Sequence, residues 1–310
     1  MSMTMTMNRK LSMISVPFGL GAGRAGAEQG PESIVRSGLL RQLKQLGIEV
    51  AAEREVNLPS AAPAREQLDE APVPARNAKH LAEVLYTCSA LAEQVSAAVT
   101  DGCFPLVLGG DHSIAMGTLA GLTRHYRNVG VIWFDAHSDL NTEETSPSGN
   151  VHGMSLAVAL GRAEFAEMPW SGPYVRADRV VLIGARDLDP GEKEFIRQQG
   201  ITCFTMHEID RMGMERVVQE ALRIVGSDTD GVHLSFDVDS VDPYEAPGTG
   251  TPVQGGVSYR EAHLAMELLH ESGLVTSAEF VEVNPTLDVN NKTARLAKEL
   301  IGSLFGQRIL

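Results

Sequence analysis

The chain has 310 residues and contains no run of about 18 apolar residues, so no membrane-spanning helix is expected. Its opening, MSMTMTMNRK, lacks the apolar middle of a secretory signal. Residues 1–9 therefore read as a disordered lead-in, and the expected location is the cytoplasm. Cysteine is scarce: Cys88, Cys103 and Cys203 are odd in number, far apart and without a C-x-x-C pattern. That excludes a disulfide framework and points to reduced thiols. Positive charge is also short, with 26 Lys and Arg against 40 Asp and Glu, a formal charge of −14. Such a balance argues against nucleic acid as a partner and mildly favours cationic ligands, although an ordinary acidic surface accounts for it equally well.

What is present is α/β patterning. At 43% hydrophobic content the chain can bury a substantial core. Nearly continuous apolar runs occur at 10–16, 104–110, 129–135, 179–185, 201–204, 232–238 and 277–283, as strands covered on both faces require. Helical patterns lie between them. In residues 78–99 a three-and-four spacing from Leu81 through Val99 gives one wide apolar stripe. Ser258 with Glu261 forms a capping-box signature, and Gly273 suits the end of that helix. The alternation predicts three layers: a largely parallel central sheet with helices on both faces. The Ala/Pro-rich segment 60–75 reads as a surface connection, so residues 10–310 are expected to form one domain.

The chemistry gathers where strands end. VIWFDAHSDLN (131–141) places Asp135, His137 and Asp139 at every second position after an apolar run, so they share a face if the chain stays extended. VHLSFDVDSVDP repeats the design with Asp237 and Asp239, and FPLVLGGDHS delivers Asp111 and His112 after a Gly-Gly turn. The carboxyl ends of strands are where open α/β sheets place their sites. Any one segment taken alone fits a polar loop. Together, carboxylates and imidazoles in this number suit two divalent ions with shared ligands better than one closed tetrahedral zinc site. Thiolate-free, carboxylate-rich donors favour manganese. The residues themselves thus point to a metal-dependent hydrolase.

GGDHS (109–113), DAHSD (135–139), SFDVDSVDP (235–243) and EVNP (282–285) resemble the signature segments of the ureohydrolases, the arginase and agmatinase family. The likeness runs from VPFGLGAGRAGAEQGPESI to NKTARLAKELIGSLFG, nearly the whole chain. Within the family, SPSGNVHG (146–153), IGARDLDPGE (183–192) and APGTGTPVQGG (246–256) are most similar to the bacterial arginases. The resemblance implies two manganese ions per subunit. His112, Asp135, Asp139 and Asp237 would bind one, and His137, Asp135, Asp237 and Asp239 the other. It also implies attack of a metal-bound hydroxide on the guanidinium carbon of L-arginine, giving L-ornithine and urea. In that scheme Asp139 carries the proton to the leaving nitrogen, Glu282 pairs with the guanidinium, and His152 shuttles protons.

Asn141, Ser148 and Asn150 are similar to the family's α-carboxylate-reading groups, Asp189 to its α-amino contact, and Thr251 to a residue near the guanidinium. A carboxylate-reading loop favours L-arginine over agmatine, which has no carboxylate. Agmatine or another guanidino acid is the alternative substrate, and a non-catalytic, metal-holding regulatory relative the alternative class. Such a relative would be expected to lack a ligand, yet none is missing. The family implies a homo-oligomer, a trimer or a hexamer. Other signals are set aside. Gly21, Gly23 and Gly26 precede a helix that Pro31 opens too late for a dinucleotide fingerprint. Ser155 lacks a nucleophile elbow, and His233 reads as structural.

Overall fold

The structure, a computed structural model, describes residues 10–58, 77–163, 165–166, 170 and 172–309. The lead-in assigned to residues 1–9 and the whole of the 60–75 connection lie outside the described residues. In chain order the elements are β1 (Leu11–Val16), α1 (Gly30–Arg36), α2 (Leu39–Gln45), β2 (Val50–Glu55), α3 (Leu81–Thr100), β3 (Phe104–Gly109), α4 (Ala115–Thr123), β4 (Val129–Phe134) and α5 (Ser155–Ala159). They continue with β5 (Val180–Ala185), α6 (Pro190–Gln199), β6 (Thr202–Thr205), α7 (Met206–Met212), α8 (Met214–Val225), β7 (Gly231–Asp237), α9 (Tyr259–Ser272), β8 (Val275–Val281) and α10 (Lys292–Leu304).

The strands form one eight-stranded sheet in the order β2-β1-β3-β8-β7-β4-β5-β6, and every pairing is parallel. Parallel neighbours need crossovers, and the helices supply them on both faces. One face packs Ile34, Leu39 and Val218 with the helices α1, α2 and α7 to α10, and the other packs Leu91, Leu119 and Ile196 with α3 to α6. Central strands buried on both sides need no polar alternation, which is why β3, β4 and β5 read as continuous apolar runs.

Register brings the site together. Phe134, Phe236 and Phe280 are direct cross-strand partners on β4, β7 and β8, with ring centroids 5.1 and 5.2 Å apart. All three are fully buried, and burying each ring contributes about 2–3 kcal/mol. This aromatic row lies one residue below Asp135 and Asp237, so it fixes the level at which those strand ends deliver their carboxylates. The box at Ser258 is present, Glu261 reaching back to the Ser258 backbone N–H at 2.9 Å, and Gly273 ends α9 in the left-handed conformation.

Candidate active site

Four adjacent central strands, β3, β8, β7 and β4, send their carboxyl ends into one region. His112 follows β3, Asp135 follows β4, Asp237 ends β7 and Glu282 follows β8. His112 Nδ1 lies 3.2 Å from Asp135 Oδ2, 3.1 Å from Asp139 Oδ2 and 3.3 Å from Asp237 Oδ2. His137 Nδ1 lies 3.1 Å from Asp239 Oδ2 and 3.4 Å from Asp135 Oδ1. Asp135 thus faces one imidazole with each oxygen, as a bridging carboxylate must.

Asp135, His137 and Asp139 do lie close together, but not through a shared strand face. β4 stops at Phe134, and Asp139 adopts a left-handed backbone with φ of 51°, so a turn folds it back toward His112. Glu282 is likewise left-handed, with φ of 65°. Non-glycine residues in this region are strained, and here both occur at the site. Asp239 sits in a 3-10 turn whose entry is capped by Asp237, which accepts the Asp239 N–H at 2.8 Å. Asp111 does not join the cluster. Its carboxylate accepts from Gly21 N at 2.7 Å and from the Ser113 N–H and hydroxyl, so it ties down the glycine turn that follows β1.

Positive charge is in deficit among these side chains. Asp135, Asp139, Asp237 and Asp239 are all buried. Burial, together with the charge of Asp135, pushes Asp139 up to about 6 and raises Asp239; burial and the charges of Asp239 and Asp135 raise Asp237 well above the usual carboxylate range. Burial opposes charge on Asp135 too, yet His112 and His137 hold it well below that range. The two imidazoles show the converse: burial disfavours their protonation, but the facing carboxylates raise both. Four buried carboxylates this close together are favoured by positive charge placed among them. His112 Nδ1 is moreover buried without a hydrogen-bond partner. An orphaned imidazole nitrogen aimed at three carboxylate oxygens is a ligand set in need of a metal. The sets His112, Asp135, Asp139 and Asp135, His137, Asp239 could each hold an ion.

Neighbouring groups orient these ligands. Trp133 donates Nε1–H to Asp135 Oδ2 at 3.0 Å and stacks on His112 at 4.2 Å between centroids. Thr251 donates its hydroxyl to Asp239 Oδ2 at 3.0 Å. Glu282 Oε1 accepts both the His112 N–H at 2.8 Å and His152 Nδ1–H at 3.0 Å. That ion pair, against the opposing effect of burial, raises His152 to about 9 and lowers Glu282. Ser155, set aside as a nucleophile, is fully buried, and its hydroxyl shares its one proton between the carbonyls of His112 and His152, 2.9 and 2.7 Å away, joining their two turns.

A cleft opens beside the cluster. Its inner part is lined by His137, Asp139, Asn141, Ser148, His152 and Asp189, with Thr251. Asn150 and Glu282 line an adjoining pocket that shares His137, His152 and Thr251 with it. Asn141 donates Nδ2–H to Asp189 Oδ2 at 2.9 Å, and Ser148 Oγ accepts the Asn150 N–H at 3.2 Å. Every residue given a metal, catalytic or substrate role in the sequence therefore lies at the cluster or on this cleft, whereas Asp111 does not. Glu192 was missed. It is buried and accepts from Ser138 Oγ, Leu140 N and Asp189 N, fastening the turn of Asp139 to the start of α6. The signal was present as DPGE (189–192), a capping box with proline at the first helical position.

Comparison with known proteins agrees with this geometry. Residues 9–306 match the model of the arginase family. The chain is 50% identical over 304 residues to the arginase of Bacillus caldovelox, covering 97% of this chain and all of that one. The native structure of the Bacillus caldovelox arginase superposes with a TM-score of 0.90 at 48% identity, over 97% of this chain and all of that one. The Entamoeba histolytica arginase, solved in complex with L-ornithine, superposes with a TM-score of 0.87 at 33% identity, over 96% and 99% of the two chains. With sheet, strand-end carboxylates and imidazoles, and full-length likeness in agreement, this chain belongs to the arginase family and is one of its hydrolases.

Proposed function

We propose that the protein hydrolyses L-arginine to L-ornithine and urea with two manganese ions per subunit. The observation that carries this reading is the double convergence on Asp135, with His112 at one oxygen and His137 at the other and Asp139 facing the same nitrogen of His112, beside a cleft lined by Glu282. His112, Asp135, Asp139 and Asp237 would hold one ion, and Asp135, His137, Asp237 and Asp239 the other. When bound, such a pair supplies Lewis acidity that lowers the pKa of a water molecule and offsets negative charge developing at the guanidinium carbon.

The side chains then divide the remaining work. Glu282 pairs with the guanidinium and turns its trigonal face toward the carboxylate cluster. As water adds to the guanidinium carbon, Asp139 takes a proton and passes it to the nitrogen that carries the amino-acid chain. The bond from carbon to that nitrogen breaks, leaving urea and the primary amine of L-ornithine. His152, paired with Glu282 and on the cleft wall, exchanges protons with solvent. Asn141, Ser148 and Asn150 read the α-carboxylate, Asp189 the α-amino group, and Thr251 steadies Asp239 next to the reacting carbon.

The ornithine held by the Entamoeba histolytica arginase supports this product assignment. The same reading takes residues 10–310 as one catalytic domain of a cytoplasmic homo-oligomer, trimeric or hexameric as the family implies. No helix among the described residues is long and apolar enough to cross a membrane. Manganese-loaded protein given L-arginine should release urea and L-ornithine in equal amounts. Ammonia with L-citrulline in their place would overturn the proposed bond cleavage.

A further inference from the structure

A line of buried polar side chains leads from the metal ligands into the sheet. On β7, His233, Ser235 and Asp237 share one face; on β8, Ser277 and Glu279 lie beside the first two, with His233 opposite Ser277 and Ser235 opposite Glu279. None of His112, His233, Ser235, Ser277 and Glu279 is more than 1% exposed, so water is not at hand to replace a missing partner. Placing a carboxylate and an imidazole inside the sheet is costly, and the proposed chemistry makes no use of either.

The hydrogen bonds have a direction. Ser235 donates its hydroxyl to Glu279 Oε1 at 2.8 Å. His233 Nε2 lies 3.3 Å from the same oxygen, and His233 Nδ1, 3.0 Å from Ser277 Oγ, fixes the ring beside that carboxylate. Although burial opposes its charge, the neighbouring His233 keeps Glu279 below the usual carboxylate range. An ionised carboxylate only accepts. Ser235 has one proton, and Glu279 takes it. Toward His112 Nε2, 2.7 Å away, Ser235 can therefore only accept. The proton of neutral His112 must then sit on Nε2, which leaves the Nδ1 lone pair facing Asp135, Asp139 and Asp237.

We infer that Glu279 is a positioning residue: acting through Ser235, it selects the tautomer of His112 whose Nδ1 is free to bind a metal ion. This rests on the metal reading above and adds to it a control element that lies deep in the sheet, away from substrate. Without the carboxylate, Ser235 is free to donate to Nε2 and to put the imidazole proton where the ion belongs.

Mn2+ titration of the full chain, with free ion followed by electron paramagnetic resonance, tests this. The parent should bind two equivalents. Glu279→Met should weaken one of them by about 10- to 100-fold and leave the other within about threefold. Ser235→Ala should weaken the same one, and the double variant should be no weaker than Ser235→Ala alone, because both act through one chain of bonds. Glu279→Gln, which keeps the size of the side chain, should give a smaller loss at that site and no further loss when Ser235 is already Ala. Parent-like binding of both ions by Glu279→Met, or losses that add in the double variant, would overturn the inference while leaving the metal reading intact. A parent protein that takes up no Mn2+ would overturn both.

Discussion

Glu282 Oε1 joins two turns of the site, accepting His152 Nδ1–H at 3.0 Å and the backbone N–H of His112 at 2.8 Å. The carboxylate proposed to pair with the guanidinium is thus held by two hydrogen bonds without substrate, on a backbone at a φ of 65°. Fixing it in advance reduces what must be ordered when substrate binds.

Replacing Glu282 by Gln keeps the shape and removes the charge. Metal content should be unchanged, while kcat/KM for L-arginine should fall by about 100-fold or more. Parallel assays of bound manganese and urea release check this, and normal turnover would place guanidinium orientation elsewhere.

The same pair makes metal-free stability depend on pH. His152 is raised to about 9 from an ordinary value near 6.5, so its contribution is complete below about 6.5 and is lost as pH rises through about 9. Relative to His152→Asn, the chelated protein should lose on the order of 2 kcal/mol across that window. Denaturant unfolding of both proteins at pH 6.5 and 9.5 measures it. A constant difference between them would show that the pair does not form.

Asp237 faces His112 with one oxygen, Oδ2, and caps Asp239 with the other, Oδ1. Asp237→Ala should therefore disturb both halves of the cluster, releasing metal and lowering turnover by more than about 100-fold. Two tightly held ions in that variant would refute its place among the ligands.

Ser148 lies on the cleft and is not among the side chains that could hold an ion. Ser148→Ala should raise KM for L-arginine by about tenfold with kcat little changed, as expected for a lost contact made equally before and during reaction. An unaltered KM would remove Ser148 from carboxylate recognition.

Much of this was legible in the chain because buried parallel strands and strand-end carboxylates both leave strong local patterns. β3, β4, β5, β7 and β8 read directly as apolar runs. β2 did not, since at the sheet edge it alternates half-buried with exposed residues and its sequence VAAERE carries little apolar signal. Strand alternation pointed to Asp135, His137 and Asp139, but the left-handed turn that brings Asp139 back to His112 depends on the Glu192 anchor, which is 53 residues away in the chain. Asp111 follows β3 beside His112 in the sequence, and its contact with Gly21, 90 residues earlier, is not legible there. His233 and Glu279 become a pair only through the register of β7 on β8, which single segments do not carry.

The central claim is a guanidinium hydrolase that reads an amino acid. Its most direct test is urea release from manganese-loaded protein, with L-arginine and agmatine assayed side by side over a range of concentrations. A kcat/KM at least about 100-fold higher for L-arginine is predicted, because a site built to bind the carboxylate and amino group loses those bonds with agmatine. Preference for agmatine would contradict the assignment of the loop around Ser148, and turnover of neither would contradict the claim itself.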